Sequence, residues 1–235
     1  MFDNNKNKNQ ETWDSIAKSF DKTRSKPWKQ CMDFIKTLKQ SDIVIDIGCG
    51  NGRHLIPCAE QCKQVIGLDI SRELLFIAKN KLAEKKLKNV IFFHSDAIYI
   101  PLKNESVDTV LYIASLHNIQ GKEKRIQSLI ELKRILKKDG SALISVWSRW
   151  QDKYRKQFFK KWFISKSKSE FGDIDIYWRQ HGLNIPRFYH LYSKREFLED
   201  ITKAGLEIEE IESTKISSNK YPDNFFALVK KLEIN

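Results

Sequence analysis

The stretch Ile43-Val44-Ile45-Asp46-Ile47-Gly48-Cys49-Gly50-Asn51-Gly52 constrains this chain more than any other. A β-forming run leads into three alternate glycines, with Asp46 near its end. Glycine has no Cβ, so such a turn lets bare backbone approach a nucleotide-like ligand closely. The dinucleotide fingerprint G-x-G-x-x-G would place its third glycine at position 53, which is Arg53 here. The G-x-G-x-G spacing therefore separates this chain from the dinucleotide binders.

The segments around it alternate. Apolar stripes predict helices over Glu11–Asp21 and Trp28–Leu38, flanking the N-terminal side of the glycine strand. A helix opened by Asn51 or Gly52 should kink at Pro57, which cannot donate a backbone bond. Strands follow at Val65–Asp69, Asn89–His94, Val107–Ala114 and Ser141–Trp147. Helices between them run from Ser71 to about Lys85 and from Lys122 to Lys137. This is the rhythm of a parallel sheet wrapped by helices on both faces. Beyond it, Arg149–Ser169 is basic and aromatic, and Phe171–Pro186 reads as irregular. Ser193–Ala204 is a helix closed by Gly205, and Leu206–Ile211 and Phe225–Val229 are two final strands that suggest an antiparallel end. We expect one domain over residues 1–235, with a frayed segment at 1–10 and an inserted acceptor-side cap at 148–192.

At 41% apolar residues the chain can bury a three-layer core, and no uninterrupted apolar run reaches membrane-spanning length. Residues 1–10 lack the apolar stretch of a signal peptide. Four irregularly spaced cysteines (Cys31, Cys49, Cys58 and Cys62) do not make a secreted disulfide framework. His54, Cys58 and Cys62 recur every four residues. On a helix the outer two stand about 12 Å apart, too far to share one zinc. No metal, reduced thiols and a cytoplasmic location are expected. The net charge of +12 favours a polyanionic partner, such as nucleic acid or an anionic membrane.

The glycine turn and the acids after it resemble the class I S-adenosylmethionine (SAM) methyltransferases. The resemblance implies a Rossmann-like α/β fold with a seven-stranded, mostly parallel sheet, helices on both faces and an antiparallel last strand. In such sheets ligands lie beyond the carboxyl ends of the strands. The resemblance places the methionine part of SAM near Asp46, with Gly48, Gly50 and Gly52 beneath the cofactor. Asp69, followed by Ile70, would take the ribose hydroxyls; Asp96 and Ala97 would meet the adenine, with Ile113 closing the fourth strand beside it. Charge reversal at Asp69 should then abolish SAM binding and leave the fold intact.

Two strings are more discriminating: Thr23-Arg24-Ser25-Lys26-Pro27-Trp28 and Arg187-Phe188-Tyr189-His190-Leu191-Tyr192. With Ser115-Leu116-His117 they resemble the wobble-uridine tRNA carboxymethyluridine methyltransferases, which convert a carboxymethyl side chain on anticodon uridine 34 to its methyl ester. The resemblance implies tRNA as substrate and Arg24, His117, Arg187 and His190 as donors around the acceptor carboxylate. Family members often carry paired histidines after the fourth strand; here Asn118 follows His117. A small-molecule methyltransferase with an apolar pocket, or a silent SAM- or tRNA-binding scaffold, is the alternative.

Eight basic residues between Arg149 and Lys168 oppose one acid, Asp152, and suit phosphate contact, with salt-sensitive tRNA affinity weakened by Lys160/Lys161→Glu. The interleaved Trp150, Tyr154, Phe158 and Trp162 read as a buried helical stripe. Asn89–His94 is apolar on both faces for an edge strand, and Leu74-Leu75-Phe76-Ile77 adds a wide apolar face. The resemblance implies a small zinc-ribbon activator protein adding to that edge near Val90–Phe93.

Overall fold

The computed structural model describes residues 4–164 and 169–231, with backbone alone at 4–7 and 161–164. Five parallel strands, β1 (Ile43–Ile47), β2 (Gln64–Asp69), β3 (Val90–His94), β4 (Val107–Ile113) and β5 (Leu136–Trp147), are joined by β8 (Leu206–Thr214) and β9 (Asn224–Lys231). The order is β3-β2-β1-β4-β5-β9-β8, with β9 antiparallel to both neighbours. This is the helix-wrapped parallel sheet that the alternation predicts, completed as the Rossmann-like α/β fold that the resemblance implies.

Each central strand is buried on both faces, as parallel strands under helices must be. Ile45 and Ile47 enter one apolar layer with Leu68, Val110 and Leu129, and Val44 enters the other with Leu55, Cys58 and Leu111. Period-two alternation therefore sends Asp46 toward the Val44 layer, under the glycine turn. The helices are α1 (Asn4–Thr23), α2 (Lys29–Ile35), α3 (Leu55–Gln61), α4 (Arg72–Glu84), α5 (Lys122–Ile135), α6 (Arg155–Ile164) and α7 (Lys194–Lys203). Ser71 and Ser193 cap α4 and α7 by accepting from the N–H groups of Leu74 and Glu196. Among the described residues no helix is long and apolar enough to cross a membrane.

Four local expectations change. Residues 4–10, expected to fray, continue α1. Pro57 is the third residue of α3, in a first turn whose N–H groups have no intrahelical partner, so it does not kink the helix. The helix from Lys122 ends at Ile135, and β5 starts at Leu136, running through Gly140, where a Cβ would crowd the Asp108 carbonyl at 2.8 Å. The segment expected to be irregular contains an antiparallel hairpin, β6 (Asp173–Trp178) and β7 (Ile185–His190). Asp-Ile-Asp-Ile alternation was its signal. Tyr154 and Phe158 are buried against Ile176, Tyr189 and Leu191, whereas Lys153, Lys156 and Lys160 face outward. The Lys161 and Trp162 side chains, Lys166 and Lys168 lie outside the described residues.

Candidate functional site

A cleft of about 1060 Å³, its open mouth included, lies beyond the carboxyl ends of β1, β2 and β4. One wall is the glycine turn with Asp69, Ile70, Asp96, Ala97 and Ile113; the other carries Arg24, His117 and Arg187. Three segments far apart in sequence thus meet in one space.

The cofactor wall is built on Asp69. Its Oδ2 accepts the Gly50 N–H at 2.7 Å and its Oδ1 accepts the Ser71 N–H at 2.8 Å, so one carboxylate ties the turn to the start of α4. Burial pushes Asp69 up to about 6, against the hydrogen bonds that favour its ionised form. Gly50 sits at φ +54°, a left-handed conformation that disfavours side chains, with ordinary contact to Phe20 above it. Gly52 does not line the cleft; a Cβ there would come within 2.9 Å of Ala78, so its role is packing against α4. Asp96 Oδ1 accepts the Ile98 N–H at 3.2 Å, holding the loop that carries Ala97. Asp14 of α1 accepts from the Ser71 hydroxyl and the Glu73 N–H, drawing α1 over the same wall.

Asp46 is not on the cleft surface. It is 1% exposed, its Oδ2 has no hydrogen-bond partner, and burial pushes it up to about 8 while the charge of Arg53 draws it down. Its place beneath the turn follows from strand alternation. An acid with a raised folded pKa stabilises below its unfolded value and loses that contribution as pH rises through the folded one. For Asp46 the window is from the ordinary carboxyl range near pH 4 to about 8. Asp46→Asn is therefore expected to raise Tm relative to wild type at pH 8, with the difference shrinking toward pH 4, about 2–4 °C for each kcal/mol in a domain of this size. Equal Tm differences at both pH values in a thermal melt would refute the assignment.

The opposite wall is aromatic and cationic. His117 lies in a single 3-10 turn, Leu116–Asn118, after β4. Its Nδ1 accepts the Trp147 N–H at 3.1 Å, which forces the proton of the neutral ring onto Nε2. That Nε2 is buried with no partner, and desolvation, with the charges of His190 and Arg187, holds His117 down at about 3. The ring stacks on Tyr189 (5.2 Å between centroids) and leans on Trp147 (5.5 Å). Arg187, on β7, is 6% exposed and boxed by Trp178, Tyr189 and Trp13 at 4.8, 5.0 and 5.5 Å. Its Nη1 donates to the Tyr189 hydroxyl and its Nε has no partner. No described carboxylate lies within ion-pair distance of it. Arg24 is exposed; its Nη1 donates to the Thr23 carbonyl, its own carbonyl accepts from Asn51 Nδ2 at 3.0 Å, and its guanidinium carbon stands 5.6 Å from the Trp178 ring. Asn118 donates to the Phe188 carbonyl at 3.3 Å and fastens the turn to β7.

His190 is elsewhere. It is fully buried, with Nδ1 2.8 Å from Asp173 and Nε2 3.0 Å from Glu196, in the seam between the hairpin and α7. Arg125 engages Glu170 beside it and Arg149 engages Glu196. On a strand, positions 187 and 190 project to opposite faces, so both cannot enter the cleft. The same rule pairs Arg187 with Tyr189, which the sequence reading did not assign; Trp147, Trp178 and Arg53 were also missed. Trp178 lies opposite Ile185 on the hairpin and donates to Ser19 of α1 at 2.7 Å, a placement that needed the hairpin to be seen first.

A methyltransferase domain family model matches residues 45–144. The Schizosaccharomyces pombe tRNA (carboxymethyluridine(34)-5-O)-methyltransferase is 31% identical over 217 residues, covering 83% of this chain and 86% of that protein. The Xenopus tropicalis protein of the same activity name, alkbh8, is 36% identical over 160 residues, covering 68% of this chain and 24% of its own length. The chain thus spans about a quarter of the length of the first curated relatives it matches. A SAM-dependent methyltransferase from Methanosarcina mazei superposes with a TM-score of 0.74 at 20% identity, covering 89% of this chain and all of that one. A Haloferax volcanii methyltransferase solved with the Trm112 methyltransferase activator superposes at 0.68 and 17% identity, covering 97% and 98%.

Proposed function

The chain belongs to the family of tRNA (carboxymethyluridine(34)-5-O)-methyltransferases, and from that premise we propose that it methylates the carboxymethyl group of a modified wobble uridine in tRNA, with SAM as cofactor. Bound SAM supplies an electrophilic methyl group. Asp69, Asp96 and the backbone of the glycine turn hold its nucleoside, and Ile70, Ala97 and Ile113 give it apolar contact.

The observation that carries the acceptor class is the state of His117. Its Nδ1 lone pair is taken by the Trp147 N–H, and its Nε2 bears a hydrogen. The ring is a fixed donor and has no lone pair with which to take a proton from the acceptor. A hydroxyl or amine acceptor needs a general base; a carboxylate, with a pKa of about 4, arrives already ionised. Arg187, a boxed guanidinium without a carboxylate partner, supplies the fork that matches such an anion. His117 and Arg187 together can orient one oxygen in line with the methyl group while Trp147 and Tyr189 exclude water.

The remaining surfaces suit the macromolecular partners. Lys153, Lys156 and Lys160 form an outward basic face beside the cleft-forming hairpin, suited to tRNA phosphates. β3 is the sheet edge, where Ile91 is 45% exposed beside Phe76 of α4 at 61%. That edge suits strand addition by a small zinc-ribbon activator protein; a Haloferax volcanii methyltransferase of similar fold was solved with the Trm112 methyltransferase activator.

The test is labelled SAM with total tRNA from cells lacking the protein, followed by nucleoside mass spectrometry. A methyl ester on the wobble uridine is expected, and label confined to small molecules would overturn the assignment. In the same assay His117→Ala is expected to lower kcat by about 10²-fold, as loss of one preorganised donor does. His117→Gln, which keeps an N–H donor, recovers part of that rate. The wild-type pH–rate profile should show no His117 titration between pH 6 and 9; a base-type limb there would mean that the imidazole takes a proton after all.

A further inference from the structure

The cleft contains three arginines, Arg24, Arg53 and Arg187. Among the described residues, none has a carboxylate within ion-pair distance. They are not one patch. Arg187 belongs to the Tyr189–Trp178 end, its guanidinium carbon 5.0 and 4.8 Å from those two ring centroids. Arg53 directly follows the glycine turn, with its guanidinium carbon 4.9 Å from the Trp28 ring centroid. Arg24 stands between the two ends and repels both.

A partly buried guanidinium stacked on a tryptophan loses hydration without gaining a counter-ion at ion-pair distance, and burial, with the charge of Arg24, pulls Arg53 below its ordinary range. Such a group is stabilised only when an anion arrives. Two carboxylates enter this cleft in the reaction proposed above: the acceptor's, claimed by Arg187 and His117, and the α-carboxylate at the amino-acid tail of SAM. Arg53 directly follows the glycine turn and lines the same cleft, and it is more buried there than the exposed Arg24.

The geometry points to Arg53, seated on Trp28, as the anchor for the α-carboxylate of SAM, separate from the Arg187 subsite for the acceptor carboxylate. The anchor rests on the SAM reading and gives the position after Gly52 a ligand-binding role. It also accounts for Trp28, the last residue of the Thr-Arg-Ser-Lys-Pro-Trp string: its ring holds the guanidinium flat against the wall.

The experiment is titration calorimetry of wild type, Arg53→Met and Arg187→Met with two ligands, S-adenosylhomocysteine and 5′-methylthioadenosine, the second lacking the amino-acid tail. Methionine keeps apolar contact with Trp28 while removing the charge. Arg53→Met is expected to weaken S-adenosylhomocysteine by about 10–100-fold, the range for a lost charged hydrogen bond, and to leave 5′-methylthioadenosine unchanged. Arg187→Met should leave both affinities unchanged. Equal losses for both ligands would show that Arg53 only supports the turn, and full retention of S-adenosylhomocysteine affinity would show that the carboxylate lies elsewhere; either overturns the anchor and leaves the SAM reading standing. Wild type that binds neither ligand would sink the SAM reading and the anchor with it. Arg53→Lys, which restores charge but not the fork, is expected to fall between the two and guards against a variant that fails to fold.

Discussion

Arg187→Met is expected to lower kcat/KM for tRNA by about 10²–10³-fold, because truncating one partner of a desolvated charge pair costs about 2–5 kcal/mol. SAM affinity should be unaffected. The same substitution should hold or raise the Tm of the unliganded protein, since it removes a 6% exposed cation that has no anionic partner. These opposite directions make the result interpretable. A loss of activity accompanied by a matching loss of Tm would mean that Arg187 serves the aromatic box of Trp13, Trp178 and Tyr189 rather than the acceptor. Arg187→Lys is expected to recover little, because an ammonium cannot present two parallel donors.

Asp69→Ala is expected to eliminate measurable SAM binding, and also to destabilise the unliganded protein by about 2–4 kcal/mol: two hydrogen bonds to a charged group at about 1.5–3 kcal/mol each, less the cost of burying the carboxylate. Both oxygens of Asp69 already hold backbone: the Gly50 N–H and the Ser71 N–H. Removing them frees a left-handed glycine turn and the start of α4 together. The clean separation of binding from folding that the sequence suggests for a charge reversal at this position is therefore not expected. Asp69→Asn, which keeps one of the two acceptors, should be intermediate in stability between wild type and Asp69→Ala while binding SAM at least 10-fold more weakly, a difference of about 1.4 kcal/mol. Calorimetry and thermal melts on both variants check this; a Tm for Asp69→Ala equal to wild type would show that the two backbone bonds contribute nothing.

The architecture was legible because it is written in short-range chemistry. Alternating apolar runs, the Ser71 and Ser193 caps, Gly205 after α7 and the acids at strand ends each act within a few residues of where they stand. The Pro57 kink failed on a boundary: three residues' difference in where α3 begins turns a helix breaker into a tolerated first-turn residue. The hairpin β6–β7 was the costlier miss. Without it, Arg187 and His190 looked like neighbours of equal standing, whereas a strand sends them to opposite sides, one into the cleft and the other toward Asp173 and Glu196.

Sequence alone determined that this chain builds a parallel sheet with a glycine turn, that Asp69 and Asp96 follow its strands, and that arginines and a histidine stand in reserve outside the shared core. Periodicity and backbone sterics are local, so one dimension suffices to read them. Only the tertiary structure decided which cations share the cleft, that Asp46 lies beneath the turn, and that the Trp147 N–H holds His117 as a donor. Charge, desolvation and tautomer depend on what lies within a few ångströms in space, and those neighbours come from residues 30 to 160 positions away.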